Sequence, residues 1–276
     1  MSAKRVFITG GASGLGRALA ERYAREGFRV CIGDVHAARG AEALLALRVI
    51  GEAHFLTCDV TKEEDLTAVA SFLEGEWGGV DIVVNNAGVA VAGGISEVPL
   101  SDWEWIVDIN LLGVVRGCKV FTPLFQRQGH GQFVNVASMA GLIHPPMMSA
   151  YNATKAAVVA LSETLSAELA KDGIRVSVVC PSFFRTNLTE SLRAGNADSR
   201  RITEKLVTRA RRSADEIALL TFRGVERGDM HILTHAEARA TWTLKRLLPF
   251  SVYARALARS SRKMMGRGKG TTETLS

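Results

Sequence analysis

The sequence predicts an α/β protein in which a parallel sheet is covered by helices on both faces. Short β-branched stretches alternate with longer amphipathic stretches along most of the 276 residues, which is the order of strand–helix–strand units. Several strand-like stretches, such as Ile82–Asn85, are nearly all apolar, as in strands that are buried on both faces. Hydrophobic residues make up 47% of the chain and charged residues 22%, so a sizeable core is expected and disorder of the whole chain is excluded.

Each predicted strand is short and β-branched, and each predicted helix has an apolar stripe. The strands are Arg5–Thr9, Arg29–Gly33, His54–Cys58, Ile82–Asn85, Gln132–Val136, Arg175–Cys180 and Met230–Thr234. The helices between them are Leu15–Glu26, Ala37–Arg48, Lys62–Trp77, Ser101–Phe125 and Tyr151–Lys171. This order predicts a Rossmann-like, doubly wound fold with a seven-stranded parallel sheet.

Cysteine usage and hydropathy indicate the compartment. The four cysteines are far apart and have no metal-ligand spacing with the histidines, so we expect reduced core residues and no metal site. No apolar stretch of signal-peptide type follows the charged N-terminus, and no uncharged run has the length of a spanning helix. We therefore expect a cytoplasmic protein.

A glycine-rich turn follows the first predicted strand. Gly10, Gly14 and Gly16 have the spacing G-x-x-x-G-x-G, with Ser13 and Leu15 between them. Glycines let a backbone approach a pyrophosphate closely, and the following helix N-terminus offers unpaired N–H groups. The turn predicts a dinucleotide site, and a purely structural turn is the alternative for this motif by itself.

The second predicted strand is followed by Asp34, 18 residues beyond Gly16. A carboxylate there accepts hydrogen bonds from the ribose 2′-hydroxyl of NAD and repels the 2′-phosphate of NADP. Ser13 adds no positive charge to the glycine turn, and Arg39 is expected to face solvent on the next helix. NAD is therefore the expected cofactor in preference to NADP, and a helix cap is the alternative role for Asp34.

Further motifs follow in order along the chain. Asp59–Val60 comes after the third predicted strand, Asn85–Gly88 after the fourth, and Tyr151–Lys155 begins the last long helix. With the glycine turn, this ordered set over residues 4–190 resembles the short-chain dehydrogenase/reductases. The resemblance implies a nicotinamide-dependent oxidoreductase that assembles as a homodimer or homotetramer through its two long helices.

The resemblance also implies which residues contact the cofactor. Asp59 would contact the adenine amino group, with Val60 beside the ring. The turn formed by Asn86, Ala87 and Gly88 would support the sheet and pass along the cofactor.

The segment after the sixth predicted strand is similar to the one that holds the nicotinamide carboxamide in the family. It contains Pro181, Phe183 and Thr186, and a contact from Thr186 is expected. Ser182 stands where the family has a glycine.

Tyr151 and Lys155 are one helical turn apart, so their side chains can share one face. A nearby ammonium group favours the phenolate and should lower the pKa of Tyr151, which would then act as general acid and base. Lys155 would also hold the cofactor ribose. Ser138 can hydrogen-bond the substrate oxygen, and the resemblance gives Asn110 a structural and proton-relay role through a water near Lys155.

The segment between Ser138 and Tyr151 is mostly apolar and includes Met147 and Met148. It is expected to border the substrate pocket, with Val89, Val91, Phe183 and Phe184 close by. It predicts a lipophilic substrate, a steroid-like or long-chain secondary alcohol or ketone, unless the methionines fill a subunit interface. A 3-oxoacyl thioester reductase, acting on acyl-carrier protein or coenzyme A esters, is the alternative enzyme. A non-catalytic nucleotide-sensing protein and a membrane-surface binding protein are alternatives of other classes.

Basic residues are concentrated in the last third of the chain. Residues 1–184 have 15 Lys and Arg against 19 Asp and Glu, whereas residues 185–276 have 19 against 9. We interpret 1–240 as one catalytic domain in which 187–228 cover the site, and 241–276 as a basic amphipathic extension that Pro249 divides. The extension fits a peripheral membrane contact, although its apolar face can instead pack on the domain or another subunit. No nucleic-acid-binding module accompanies the charge, so no nucleic-acid partner is expected.

Overall fold

A computed structural model describes residues 3–266, except for the side chains of residues 258 and 260–266. Within this part the strands are β1 (Arg5–Thr9), β2 (Arg29–Asp34), β3 (Ala53–Thr57), β4 (Ile82–Asn85), β5 (Val91–Ala92), β6 (Gly131–Val136), β7 (Ile174–Val179), β8 (Arg193–Ala194) and β9 (His231–Ile232). Seven of them form one parallel sheet in the order β3-β2-β1-β4-β6-β7-β9. This confirms the predicted fold, with a shorter last strand than expected.

Helices connect the strands of the sheet and extend beyond the last one. They are α1 (Gly14–Arg25), α2 (Ala37–Arg48), α3 (Glu63–Trp77), α4 (Leu100–Val107), α5 (Gly113–Gln128), α6 (Ala140–Ile143), α7 (Ser149–Glu168), α8 (Ala197–Thr208), α9 (Ala214–Arg227), α10 (Ala236–Leu247) and α11 (Phe250–Gly266). A π-helical turn, Asp108–Leu112, joins α4 to α5, so the single helix predicted there contains an irregularity that periodicity did not reveal.

Two apolar layers enclose the sheet. Phe7 of β1 is fully buried in the layer formed with α3, α5 and α7, while its neighbours Val6 and Ile8 are fully buried in the layer formed with α1, α2 and α9. Because both faces are covered, the strands need apolar residues at successive positions. All four cysteines are free and buried, as predicted.

β5 and β8 form a small separate parallel pair that was not predicted. The pair links the chain after β4 to the segment after β7, and it closes one side of the region beyond the carboxyl ends of the main strands. Two-residue strands have too few side chains to produce a recognisable alternating pattern.

The chain after β9 forms α10 and α11, which are separated at Leu248 and Pro249, as the position of Pro249 predicts. The basic residues Arg262 and Lys263 of the predicted extension have side chains outside the described part, as do residues 267–276 as a whole. Among the described helices, none combines the length and apolar character that crossing a bilayer requires.

Candidate active site

A cavity of about 690 Å³ lies beyond the carboxyl ends of the parallel strands. In a doubly wound sheet this edge is where cofactors bind. All but two of the predicted site residues line the cavity. They are Gly10, Ser13, Gly14, Leu15, Asp34, Asp59, Val60, Asn86, Ala87, Gly88, Ser138, Tyr151, Lys155, Pro181, Phe183 and Thr186.

The two predicted residues that do not line the cavity are Gly16 and Asn110. A Cβ atom on Gly16 would lie 2.1 Å from the carbonyl oxygen of Gly10, so glycine is needed for α1 to approach the turn. Asn110 is fully buried in the π-helical turn, where its Oδ1 accepts from Val89 N at 2.8 Å and its Nδ2 donates to Val89 O at 2.9 Å. Its side chain therefore fixes the backbone next to Gly88.

The glycine turn has a backbone that other residues rarely adopt. Gly10 and Gly14 have φ values of 64° and 53°, in the left-handed region. A Cβ on Gly14 would lie 2.8 Å from Thr186 Oγ1, so the turn directly meets the segment after β7. Ser13 precedes α1 in an extended conformation and makes no side-chain capping bond. The turn and the N-terminus of α1 can therefore accept an anionic group such as a pyrophosphate.

Asp34 ends β2 with its carboxylate held in place. Oδ2 accepts from Ala12 N at 3.1 Å and Oδ1 accepts from His36 N at 3.0 Å, which leaves both oxygens able to accept further hydrogen bonds. The N-cap position of α2 is occupied by His36, which makes no side-chain capping bond, so Asp34 is not the N-cap residue proposed as its alternative role.

Arg39 also borders this end of the cavity, and the prediction that it faces only solvent was wrong in part. Its Nη1 lies 2.7 Å from Oε2 of Glu190, on the segment that covers the cavity from the opposite side, and about half of the Arg39 side chain stays exposed.

Tyr151 and Lys155 lie on one face of α7, and both are almost completely buried. Lys155 Nζ donates to Val136 O at 2.9 Å and lies 5.8 Å from the centroid of the Tyr151 ring. Burial lowers the pKa of Lys155 to about 8, with a small opposing effect of Cys180. Burial raises the pKa of Tyr151, while a hydrogen bond with Ser138 acts in the opposite direction. The prediction that Lys155 lowers the pKa of Tyr151 was therefore wrong, because desolvation of the buried hydroxyl decides the direction of the shift.

Ser138 lies two residues beyond the end of β6 and joins the tyrosine to the segment after β7. Its Oγ donates to Pro181 O at 3.3 Å and accepts from Ala140 N at 3.1 Å. Ser182, at the position where the family has glycine, donates its N–H to Nδ1 of His235 at 3.3 Å. The chain beyond β9 thus supports this segment.

The cavity lining around Tyr151 is mainly apolar, because Val89, Ala90, Met148, Leu188 and Leu192 line the cavity and belong to the same apolar cluster as Tyr151. Further apolar lining residues are Ile143, Pro145, Phe183, Phe184 and Val207. Met147 and Val91, which were expected nearby, do not line the cavity. Met147 is 38% exposed, and Val91 is buried in β5.

Sequence reasoning did not identify the lining residues Leu188, Leu192 and Val207 individually. They belong to an irregular segment and an amphipathic helix, where no motif distinguishes a lining residue from a core residue. Within residues 187–228, the lining ends at Val207, and α9 packs against α1 through residues such as Ile217 and Val225.

Comparisons with known proteins agree with this geometry. A family model described as short chain dehydrogenase matches residues 4–197. A 3-oxoacyl-[acyl-carrier-protein] reductase from Synechocystis sp. is 30% identical, with 70% of this chain and 79% of that protein covered.

Two solved structures are similar over almost the whole chain. A short-chain dehydrogenase/reductase from Burkholderia phymatum in complex with NAD has a TM-score of 0.85 and 30% identity, covering 100% of this chain and 98% of that one. A short-chain dehydrogenase from Sphingobium yanoikuyae in complex with NADPH has a TM-score of 0.75 and 28% identity, covering 98% of each chain. With a family match over more than half of its length, this chain is an oxidoreductase of the short-chain dehydrogenase/reductase family.

Proposed function

We propose that this protein interconverts a lipophilic secondary alcohol and the corresponding ketone, with NAD as the preferred cofactor and Tyr151 as the general acid and base. The observation that carries the proposal is one continuous cavity. It has Asp34 and the glycine turn at one end and the buried group of Ser138, Tyr151 and Lys155 at the other.

The residues of the site have separate tasks in this reaction. Ser138 donates a hydrogen bond to the substrate oxygen, and Tyr151 exchanges a proton with the same oxygen. Lys155 holds the cofactor ribose. With a pKa of about 8, it keeps a positive charge for much of the time near neutral pH, which favours the phenolate of Tyr151. A bound nicotinamide would accept or supply the hydride, and in its oxidised form it would add a further positive charge near Tyr151.

The other lining residues would hold the cofactor in this assignment. The glycine turn from Gly10 to Leu15 would accept the pyrophosphate, and Asp59 and Val60 would contact the adenine end. Thr186 lies against Gly14 and would contact the carboxamide. Asn110 takes part as a positioning residue because both polar groups of its side chain are bonded to Val89.

The preference for NAD rests on Asp34. Its carboxylate is oriented by two backbone N–H groups and can accept further bonds from ribose hydroxyls. A 2′-phosphate at that position would meet a fixed negative charge.

The preference for a lipophilic substrate rests on the apolar lining around Tyr151. Met148, Phe183 and Leu192 contribute to it. Such a surface stabilises an extended or polycyclic hydrocarbon group by burial rather than by hydrogen bonding.

The main alternative is reduction of a 3-oxoacyl thioester, which the same catalytic group can perform and which the relative from Synechocystis sp. supports by its name. An acyl carrier would be recognised through its phosphates by arginines of the covering segment. Arg193 is paired with Asp102 and stacked on Trp105, and Arg201 is paired with Asp198. Arg193 and Arg201 thus have partners within the chain, and a thioester reductase should prefer NADPH, which Asp34 disfavours, so we rank the thioester second.

A nucleotide-sensing protein without catalysis is a candidate of another class. It would not require a tyrosine and a lysine at the end of an apolar pocket. Since Tyr151 and Lys155 are both present and buried together, we rank it below the enzyme.

The basic extension supports a peripheral contact with an anionic membrane. Leu247 and Phe250, at the junction of α10 and α11, are 77% and 76% exposed and are adjacent to Arg246. Aromatic and aliphatic side chains beside cationic ones are typical of interfacial helices. In flotation with phosphatidylglycerol vesicles, the wild type should float and a Leu247→Asp, Phe250→Asp variant should not. Equal flotation of both would contradict the contact.

We also propose a homodimer or homotetramer that buries parts of the two long helices, where Leu112 is 40% exposed. Light scattering coupled to size exclusion should give a mass of two or four chains. A Leu112→Arg variant should shift it toward a single chain.

The test of the main proposal is a fluorescence titration of NADH and NADPH into the wild type and the Asp34→Ala variant. Tighter binding of NADH that weakens in the variant supports NAD and justifies a screen of lipophilic alcohols. Tighter binding of NADPH by the wild type would move the thioester reductase to first place. Binding of neither cofactor would contradict an enzymatic role.

A further inference from the structure

Two charged side chains from opposite sides of the cavity meet at the end that contains Asp34. Arg39 is in the first turn of α2, and Glu190 is in the short 3-10 helix Asn187–Ser191 of the covering segment. The 2.7 Å contact between Arg39 Nη1 and Glu190 Oε2 joins these two elements, and both residues line the cavity.

Glu190 is held in this position from its own side as well. Asn187 Nδ2 donates to Glu190 Oε1 at 2.8 Å, so the two carboxylate oxygens have different partners. The hydrogen bond with Arg39 lowers the pKa of Glu190, so the carboxylate is ionised at neutral pH.

Arg39 is the group at this end that would otherwise favour NADP. A guanidinium beside the ribose is well suited to a 2′-phosphate, to which it can donate two parallel hydrogen bonds. The N-terminal end of α2, where Arg39 and His36 lie, adds a partial positive charge of the same sign. Without Glu190, this arginine would offset the negative charge of Asp34.

We propose that Glu190 determines cofactor selectivity by neutralising Arg39, so that the ribose end of the cavity keeps the net negative charge of Asp34. This inference rests on the proposed NAD site and deepens it, because it assigns part of the selectivity to a residue 156 positions away in sequence from Asp34. Glu190 acts through Arg39 and is a positioning residue, not a catalytic one.

The test compares NADH and NADPH affinities of the wild type, Glu190→Gln, Arg39→Ala and the double variant. Glutamine keeps the size of the side chain and removes its charge, and about half of the Glu190 side chain is exposed, so the variant should fold. We expect Glu190→Gln to bind NADPH about three- to tenfold more tightly, with NADH affinity unchanged within about twofold. The gain should shrink as salt rises from 50 to 500 mM, because the new contact is between charges at a partly exposed site.

The double variant identifies the partner. If the gain comes from a freed Arg39, Arg39→Ala in the Glu190→Gln background should remove it. A matched control is Glu42→Gln, which also removes one negative charge. Glu42 lies on α2, forms an exposed ion pair with Arg17 at 2.9 Å and does not line the cavity. It should leave the affinity ratio unchanged.

Two results would overturn the inference. One is an unchanged ratio of NADPH to NADH affinity in Glu190→Gln, and the other is a gain that persists in the double variant. If the wild type prefers NADH in these cases, only the role of Glu190 fails and the proposed NAD site stands. A wild type that prefers NADPH would overturn both.

Discussion

Lys245 of α10 binds His144 in the loop that follows α6, with 2.8 Å between Lys245 Nζ and His144 Nδ1. Lys245 also donates to Leu142 O, and the hydroxyl of Tyr253 in α11 donates to Ile143 O. Three consecutive residues, the last two of α6 and the first of the following loop, are thus held by the two C-terminal helices beside the cavity. The extension therefore has a place in the catalytic domain beyond any contact with other molecules.

Removing this contact should affect substrate more than cofactor. We expect Lys245→Ala to raise the KM for a bulky alcohol about three- to tenfold, since each lost hydrogen bond is worth on the order of 1 kcal/mol. The Kd of NADH should stay within about twofold, because the cofactor end is distant from Ile143. The control is Arg246→Ala, whose guanidinium lies 4.9 Å from the Trp242 ring centroid instead of contacting the loop. An equal KM in both variants would contradict this role.

The same contact should make the stability of the protein depend on pH. Nδ1 of His144 faces the Lys245 ammonium and Nε2 faces Gly141 O at 3.0 Å, so the ring binds as the neutral form with its proton on Nε2. Burial and the nearby charge of Lys245 lower the pKa of His144.

Because the folded pKa is below the ordinary value of about 6.5, the unfolded chain binds more protons as the pH falls through this range. The neutral His144 ring therefore stabilises the folded protein above about pH 6.5, and this stabilisation is lost as the pH falls below that value. Urea denaturation from pH 7.5 to 5 should show a steeper loss of stability for the wild type than for His144→Asn, which tolerates the same left-handed backbone. Parallel curves would exclude His144 as the cause.

Replacing Tyr151 by Phe should separate chemistry from binding. Loss of the hydroxyl removes the proton donor and acceptor, so kcat should fall about 10²- to 10⁴-fold. NADH should bind with nearly unchanged affinity.

Lys155→Met, in contrast, should weaken NADH binding and lower kcat together, because Lys155 is proposed both to hold the cofactor ribose and to favour the phenolate of Tyr151. Stopped-flow measurement of hydride transfer reports the change in the chemical step, and fluorescence titration reports the change in NADH affinity. A Tyr151→Phe variant that retains most of the wild-type kcat would refute Tyr151 as the general acid and base.

Asn110 should contribute more to stability than a typical polar residue. Asn110→Ala leaves the N–H and the carbonyl of Val89 without the partners they have inside the protein. The expected cost is about 1–3 kcal/mol in the free energy of unfolding, since an unpaired buried group costs on the order of 1–3 kcal/mol and Val89 is only partly buried beside the cavity. Gln126→Ala is a suitable control on the adjoining helix α5, since the described side-chain hydrogen bond of Gln126 is an exposed one to Asp172 at 2.8 Å. That variant should change stability by about 0.5 kcal/mol or less.

Most of the fold and the polar groups of the candidate site were predictable from the sequence. The alternation of apolar strands with amphipathic helices encodes the parallel sheet, because strands covered on both faces need apolar side chains at successive positions. The glycine turn, Asp34 and the Tyr151–Lys155 pair are local signals. Their backbone conformations and spacings are determined by neighbouring residues, so the sequence alone placed them at the carboxyl edge of the sheet.

Other features were decided by the tertiary structure. The contact of Arg39 with Glu190, the contact of Lys245 with His144 and the apolar wall that includes Leu188 join segments far apart in the chain. No local pattern marks either partner of such a pair, since a surface arginine and a paired arginine look alike in sequence. The pKa of Tyr151 is a similar case, because the degree of burial that raises it depends on how α7, β6 and the segment after β7 pack together. The sequence by itself determined the fold and the chemical groups of the site, and only the packing of distant segments decided their electrostatics and the shape of the substrate pocket.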